Sequence, residues 1–152
     1  MTEQQIYQKL SAACASAEHC SYEMTEKMSR WQVPDDVQAR VMERLVSERF
    51  VDDERYCRFF VRDKILYNKW GRRKVEQALR LKRIPEAVAA AALDEIDPQV
   101  YADILRPLLQ AKRKTAKAAN AYELNGKLTR FALGRGFTMD VIRECLGDGC
   151  ED

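Results

Sequence analysis

Between Arg55 and Arg83 the chain carries eleven lysines or arginines against two acids, Asp63 and Glu76, on a protein whose net charge is only +2. Lys69, Arg72, Arg73, Lys74, Arg80, Lys82 and Arg83 crowd a segment too short to point them all away from one another, and Trp70 stands among them. Arg72 and Arg73 fall in the first turn of the helix they open, where the dipole disfavours each positive charge by about 0.3–1 kcal/mol. A sequence shaped for stability alone would place acids there. The cluster therefore reads as a surface for an anionic partner, ahead of the plainer reading as a solvated face. Trp70 is either a plug beneath the loop or an exposed anchor beside the charges.

Other chemistry is thin. The single histidine is His19, and no HExxH, GxSxG, phosphate-binding loop or GxGxxG occurs; Gly134-Arg135-Gly136 is a lone GxG with unsuitable flanks. Five cysteines (14, 20, 57, 145 and 150) form an odd set without a CxxC pair and read as free thiols of a reducing compartment. A metal site at Cys14, His19 and Cys20 would lack a fourth ligand. No triad assembles, so the chain reads as a non-enzyme without cofactor or metal. Asp52-Asp53-Glu54 is helix-capping chemistry. Lys112-Arg113-Lys114 with Lys117 close a helix, where cations complement the dipole, and read as structural. No apolar run approaches the ~20 residues of a membrane span, and the N-terminal segment lacks a signal-peptide core; the expected setting is the cytoplasm.

The elements that must hold the cluster are helical throughout, with no alternating strand pattern. Nine segments are expected. The first three are residues 3–18, with Ile6, Leu10, Ala13 and Ala17 on one face, 22–31 after Ser21 as cap, and a third opened by Pro34 with Val37, Val41 and Leu45 inward. Asp52 caps a fourth, whose Tyr56, Phe60, Val61 and Ile65 face a core, and Gly71 breaks the chain before a fifth at 72–81. Then come 85–96, 99–118 (kinked or delayed by Pro107), 127–134 after Asn125-Gly126, and 139–146 after Thr138. Asp97-Pro98 is the expected hinge, and the last six residues are expected to fray.

An internal repeat runs through these helices. An offset of 51 places Arg30-Trp31-Gln32-Val33-Pro34 on Leu81-Lys82-Arg83-Ile84-Pro85, with Met24 on Val75, Met28 on Leu79, Val37 on Val88 and Met42 on Leu93. A further 53 brings Leu128, Ala132, Phe137, Val141 and Leu146 to those places. The expected fold is all-α: three tandem three-helix repeats at 1–50, 51–97 and 98–147 with a frayed tail at 148–152, forming an elongated, curved array. Residues 1–57 carry net −4, 58–130 net +9 and 131–152 net −3, so the charge is expected to be local to the middle of the chain.

The run Asp52-Asp53-Glu54-Arg55-Tyr56, then Phe60-Val61, Asp63-Lys64, Trp70-Gly71-Arg72-Arg73-Lys74-Val75, Ala78-Leu79, Lys82 and Ile84, set in such repeats, resembles the RecX family of bacterial RecA regulators. The resemblance covers nearly the whole chain and is strongest over 50–85. Arg49 and Arg83 depart from it, standing where many relatives have glycine in the turn; Gly136 keeps it. The resemblance implies a modulator of recombination and DNA repair that binds the RecA filament on single-stranded DNA, suppresses recombinase and coprotease activity, and hinders filament growth. It implies no catalytic residue. Independently, a curved array with a basic middle suits a filament groove, with Lys69, Trp70, Arg72, Arg73, Lys74, Arg80, Lys82 and Arg83 as the contact set. Weak non-specific DNA binding, no membrane contact and a monomeric state are expected. The alternative is a helix-turn-helix transcriptional regulator, for which the helix at 72–81 offers Gln77 and several cations.

Overall fold

A computed structural model describes the backbone of residues 1–150 and the side chains as far as Gly147. The described chain is helical: α1 Glu3–Ser16, α2 Ser21–Arg30, α3 Asp35–Ser47, α4 Asp53–Arg62, α5 Arg72–Leu81, α6 Glu86–Asp94, α7 Pro98–Thr115, α8 Ala121–Gly134 and α9 Met139–Cys150. A π-helical turn, Asp63–Tyr67, prolongs α4. The all-α expectation holds, and several boundaries differ for identifiable reasons.

Side-chain caps set most of the starts. Thr2 and Gln5 form a reciprocal capping box at α1 (3.1 and 2.9 Å). Asp52 accepts from the Arg55 N–H at 3.1 Å, and Asp97, with Pro98 behind it, accepts from the Gln99 N–H at 2.9 Å. At α2 the cap position falls on Cys20 rather than Ser21: the Cys20 N–H donates to Glu23 Oε1 at 3.0 Å and the Ser21 N–H to Asp53 Oδ1 at 2.8 Å.

Three further differences concern α7, α8 and α9. Helix α8 starts six residues before the expected 127, because Asn120 accepts from the Glu123 N–H at 2.8 Å and Glu123 reaches back to the Ala119 N–H at 3.3 Å. That cap outweighs the cost of about 1 kcal/mol for carrying Gly126 inside the helix. Helix α7 neither starts late at Pro107 nor reaches 118; it runs through the exposed proline and ends at Thr115. Helix α9 continues to Cys150 where fraying was expected after 146, and the remaining two positions of the expected tail, Glu151 and Asp152, lie outside the described residues.

The repeat is written in the turns. Gln32, Arg83 and Gly136 adopt φ of 57°, 56° and 94°, at the spacing that the sequence offsets demand. In each case the next N–H closes back five residues: Val33 to Met28 O (3.0 Å), Ile84 to Leu79 O (3.1 Å) and Phe137 to Ala132 O (3.1 Å). These are left-handed helix ends that bury the following apolar side chain. Arg83 therefore takes up the glycine conformation without being glycine, and so does Arg49, at φ 64°.

The chain forms two compact units, one of residues 1–60 with 79–89 and the other of 61–78 with the chain from 90 onward. In the first, Ile6, Tyr7, Leu10, Met24, Met28, Val41 and Leu45 form the core. Tyr7 joins Ile6 and Leu10 in this core, whereas Ala17, expected on the same face as Ile6, lies beyond the end of α1 at Ser16 and is exposed. In the second, Val61, Ile65, Val75, Leu105, Leu109, Leu128, Phe137 and Ile142 are buried.

Burial pushes the thiols of Cys20 and Cys57 up from 9.0 to about 11, and the Tyr101 phenol from 10.0 to about 12. In the unfolded chain these groups ionise first, so the stability tied to their neutral forms is complete below pH 9 and declines above it. Denaturant midpoints are expected to stay level from pH 7 to about 8.5 and to fall from pH 9 to 11. A level curve across pH 9–11 would contradict the assignment.

Candidate functional site

The basic segment begins on an unusual piece of backbone. After the π-helical turn, the Trp70 N–H closes back to Lys64 O at 3.0 Å and Lys69 turns through φ 59°. The chain then meets the turn between α8 and α9: the Gly71 N–H donates to Arg135 O at 2.8 Å and the Arg73 N–H to Gly136 O at 2.9 Å. Two of the N–H groups that open α5 are thereby satisfied by carbonyls rather than by solvent or a capping side chain. Both glycines are required. A Cβ on Gly71 would lie 2.3 Å from the Gly136 carbonyl carbon, and one on Gly136 would lie 2.4 Å from Lys74 Cβ. Arg135 adds a strap, its Nη2 donating to the carbonyls of Asn68 (3.1 Å) and Lys69 (3.4 Å).

The side chains on this frame sort into two kinds. Arg72 is committed internally, with Nε 2.8 Å from Glu76 Oε1 and Nη1 2.9 Å from Asp94 Oδ1, and its side chain is 31% exposed. Partial burial works against its charge, but the hydrogen bonds it donates to Glu76 and Asp94 outweigh that and hold its pKa above the ordinary arginine value. A cation in the first turn of α5 thus has a structural explanation at position 72. It has none at 73: Lys69 and Arg73 are exposed, and neither has an ion-pair partner among the described residues. Trp70 is neither a sealed plug nor a free anchor. It is half-buried, with the Lys74 and Lys64 ammonium groups 4.5 and 5.4 Å from its ring centroid.

Arg80, Lys82 and Arg83 belong to the first compact unit, whereas Lys69, Trp70, Arg72, Arg73 and Lys74 belong to the second. Arg80 is exposed, Lys82 pairs with Glu23 at 3.5 Å, and Arg83 lies over the Tyr22 ring at 5.1 Å. Of the eight residues expected to make contact, Lys69, Arg73 and Arg80 offer the most available charge. Sequence reasoning missed Arg135 and the two-glycine seam. Gly71 was legible only as a break, because nothing in its local sequence says which backbone it approaches.

Among the described residues no group of three or more His, Cys, Asp or Glu is arranged to hold a metal ion, and no helix is long and apolar enough to cross a membrane. The arrangement has the means to bind an anion through charge and hydrogen bonds, on a rigid backbone.

Comparison with known proteins gives a consistent answer. Residues 52–93 match the family model described as the second three-helix domain of RecX, and residues 99–146 match that of its third three-helix domain. A regulatory protein RecX from Mycolicibacterium smegmatis is 30% identical over 128 residues, covering 82% of this chain and 68% of the relative. Another from Vibrio campbellii is 29% identical over 159 residues, covering 97% of this chain and all of the relative. The crystal structure of RecX from Lactobacillus salivarius shares the fold with a TM-score of 0.89 at 16% identity, over 96% of this chain and 95% of that one.

Proposed function

The chain belongs to the RecX family, and on that premise we propose that it binds the RecA filament on single-stranded DNA, occupies its groove, and restrains filament growth together with recombinase and coprotease activity. It acts by binding rather than by catalysis, as a cytoplasmic monomer without cofactor, and touches DNA weakly and without sequence preference. Its three-helix repeats at 1–50, 51–97 and 98–147 each contribute reach.

The observation that carries the charged contact is the pairing pattern. Lys69 and Arg73 are exposed and uncompensated on a backbone pinned at Gly71 and Gly136, so little ordering is needed when an anion arrives. Trp70 and Lys74 support them in the same unit, and Arg80, Lys82 and Arg83 add contacts from the other. Arg72 contributes by holding α5 in place.

Co-sedimentation with RecA filaments on single-stranded DNA across a salt series tests the reading. Retention is expected to fall steeply with salt, by about 0.7 logarithmic units of affinity per tenfold salt for each single-strand phosphate contacted. Strand exchange is expected to be inhibited at the same concentrations. Sequence-selective duplex binding that needs no RecA would instead identify a transcriptional regulator.

A further inference from the structure

A second basic surface lies in the compact unit that contains α7 and α8, outside the Arg55–Arg83 cluster. Between Lys112 and Arg135 there are seven cations and one acid, Glu123. In sequence they form scattered pieces; the fold gathers them. The C-terminal end of α7 and the outer face of α8 enclose a hollow of about 510 Å³ lined by Lys112, Ala116, Lys117, Lys127, Arg130 and Phe131. Arg130 also lines an adjoining hollow of about 630 Å³ with Asn120, Tyr122, Asn125, Thr129 and one acid, Glu123, so the two share a wall.

The charge in this groove is poorly neutralised. Glu123 sits 3.8 Å from Lys127, which also donates to the Lys117 carbonyl, and this is the one ion pair among the described residues of the cluster. Lys112 leans on the Phe131 ring at 5.4 Å, with Arg135 at 5.8 Å from the same ring. Lys112 could be explained by the α7 dipole alone, but Lys127 and Arg130 lie in the body of α8, where no dipole argument applies. Tyr122 is 90% exposed at the start of the same helix. A ring so exposed contributes almost nothing to folding.

We propose that this groove binds single-stranded nucleic acid, with Lys112, Lys117, Lys127 and Arg130 meeting phosphates and Tyr122 offering its face to a base. An electropositive track with an aromatic platform beside it is the arrangement that suits a strand whose bases are unstacked. An acidic peptide would use the cations equally well and would leave the exposed tyrosine without a role. At the tyrosine end the wall is already knitted together, Asn120 accepting from the Glu123 N–H at 2.8 Å and the Thr129 hydroxyl donating to the Asn125 carbonyl at 2.7 Å, so Tyr122 is the group left to meet a base. The site needs neither RecA nor the charges around Arg73.

The test is fluorescence anisotropy of a labelled fifteen-residue oligo(dT) with the full chain, without RecA, across a salt series. Lys112→Gln with Arg130→Gln is expected to flatten the logarithmic salt slope by about 1.4, two single-strand contacts' worth. Tyr122→Ala is expected to weaken binding about five-fold or more while barely changing the slope. Circular dichroism checks that both variants keep their helix content; because the replaced side chains lie on the surface, folding is expected to survive. A polyglutamate peptide serves as the competing anion. Oligonucleotide affinity and slope unchanged in both variants would overturn the proposal. So would polyglutamate binding as tightly as oligo(dT) with no dependence on Tyr122. These outcomes stand apart from the filament reading, which is tested by co-sedimentation with RecA present.

Discussion

Gly71→Ala is expected to lower the thermal midpoint by roughly 6–12 °C, from a loss of about 3 kcal/mol in a domain of this size. The added methyl would sit 2.3 Å from the Gly136 carbonyl carbon and the Phe137 nitrogen, and 2.4 Å from the Gly136 oxygen. Those neighbours are backbone and have no rotamer with which to move aside. Relief requires the start of α5 to withdraw from the α8–α9 turn, which forfeits the bonds from the Gly71 and Arg73 N–H groups. Each such bond is worth about 1 kcal/mol net, and the crowding that remains adds a cost of similar size. Gly136→Ala suffers the reciprocal clash with Lys74 together with a φ of 94°, and should be at least as damaging. Gly134→Ala is the control: nothing lies within 4 Å of its added carbon, and the position ends a helix, so the change should be neutral or slightly stabilising. A Gly71→Ala midpoint within two or three degrees of the parent, on the scale of about 1 kcal/mol, would show that the seam opens at little cost.

That seam also marks how far the sequence could be read. The three-helix repeats were legible because the turn residues and the apolar positions recur together. Gln32, Arg83 and Gly136 align in sequence, and all three adopt left-handed backbone. The residues that follow them, Val33, Ile84 and Phe137, are buried as the offsets predict. A backbone-to-backbone approach such as Gly71 against Gly136 leaves no periodicity, only two glycines 65 positions apart. In sequence Asn125-Gly126 looks like a stronger punctuation than Asn120, but the capping partner Glu123 decides the start of α8 at Ala121. Around the site, the density of charge was readable, but its availability was not. In sequence Arg72 and Arg73 look alike, and only Asp94, 22 residues further on, separates them by pairing with Arg72. The cations of α8 were overlooked because Lys127 and Arg130 are spaced singly along the chain and converge with Lys112 only in the folded unit.

The same distinction decides which substitution tests the charged contact cleanly. Lys69→Glu with Arg73→Glu is expected to weaken binding to the RecA filament by roughly ten- to a hundred-fold at low ionic strength, through two lost phosphate or carboxylate contacts and the repulsion that replaces them. Stability should change by less than about 0.5 kcal/mol, since both side chains are exposed and unpaired among the described residues. Arg73→Glu even places an acid in the first turn of α5, which the helix dipole favours. Arg72→Glu behaves differently. It sets a third carboxylate beside Glu76 and Asp94 in a half-buried corner, and is expected to cost about 1–2 kcal/mol of folding stability. A loss of inhibition in that variant therefore mixes a misplaced α5 with a missing charge. Measuring thermal midpoint and filament co-sedimentation side by side separates the two. The Lys69/Arg73 variant should keep its midpoint and lose its binding, and the Arg72 variant should lose both, with binding recovering as the temperature is lowered. Full inhibition by a well-folded Lys69→Glu/Arg73→Glu protein would remove this segment from the contact and leave the α7–α8 groove as the remaining basic surface to examine.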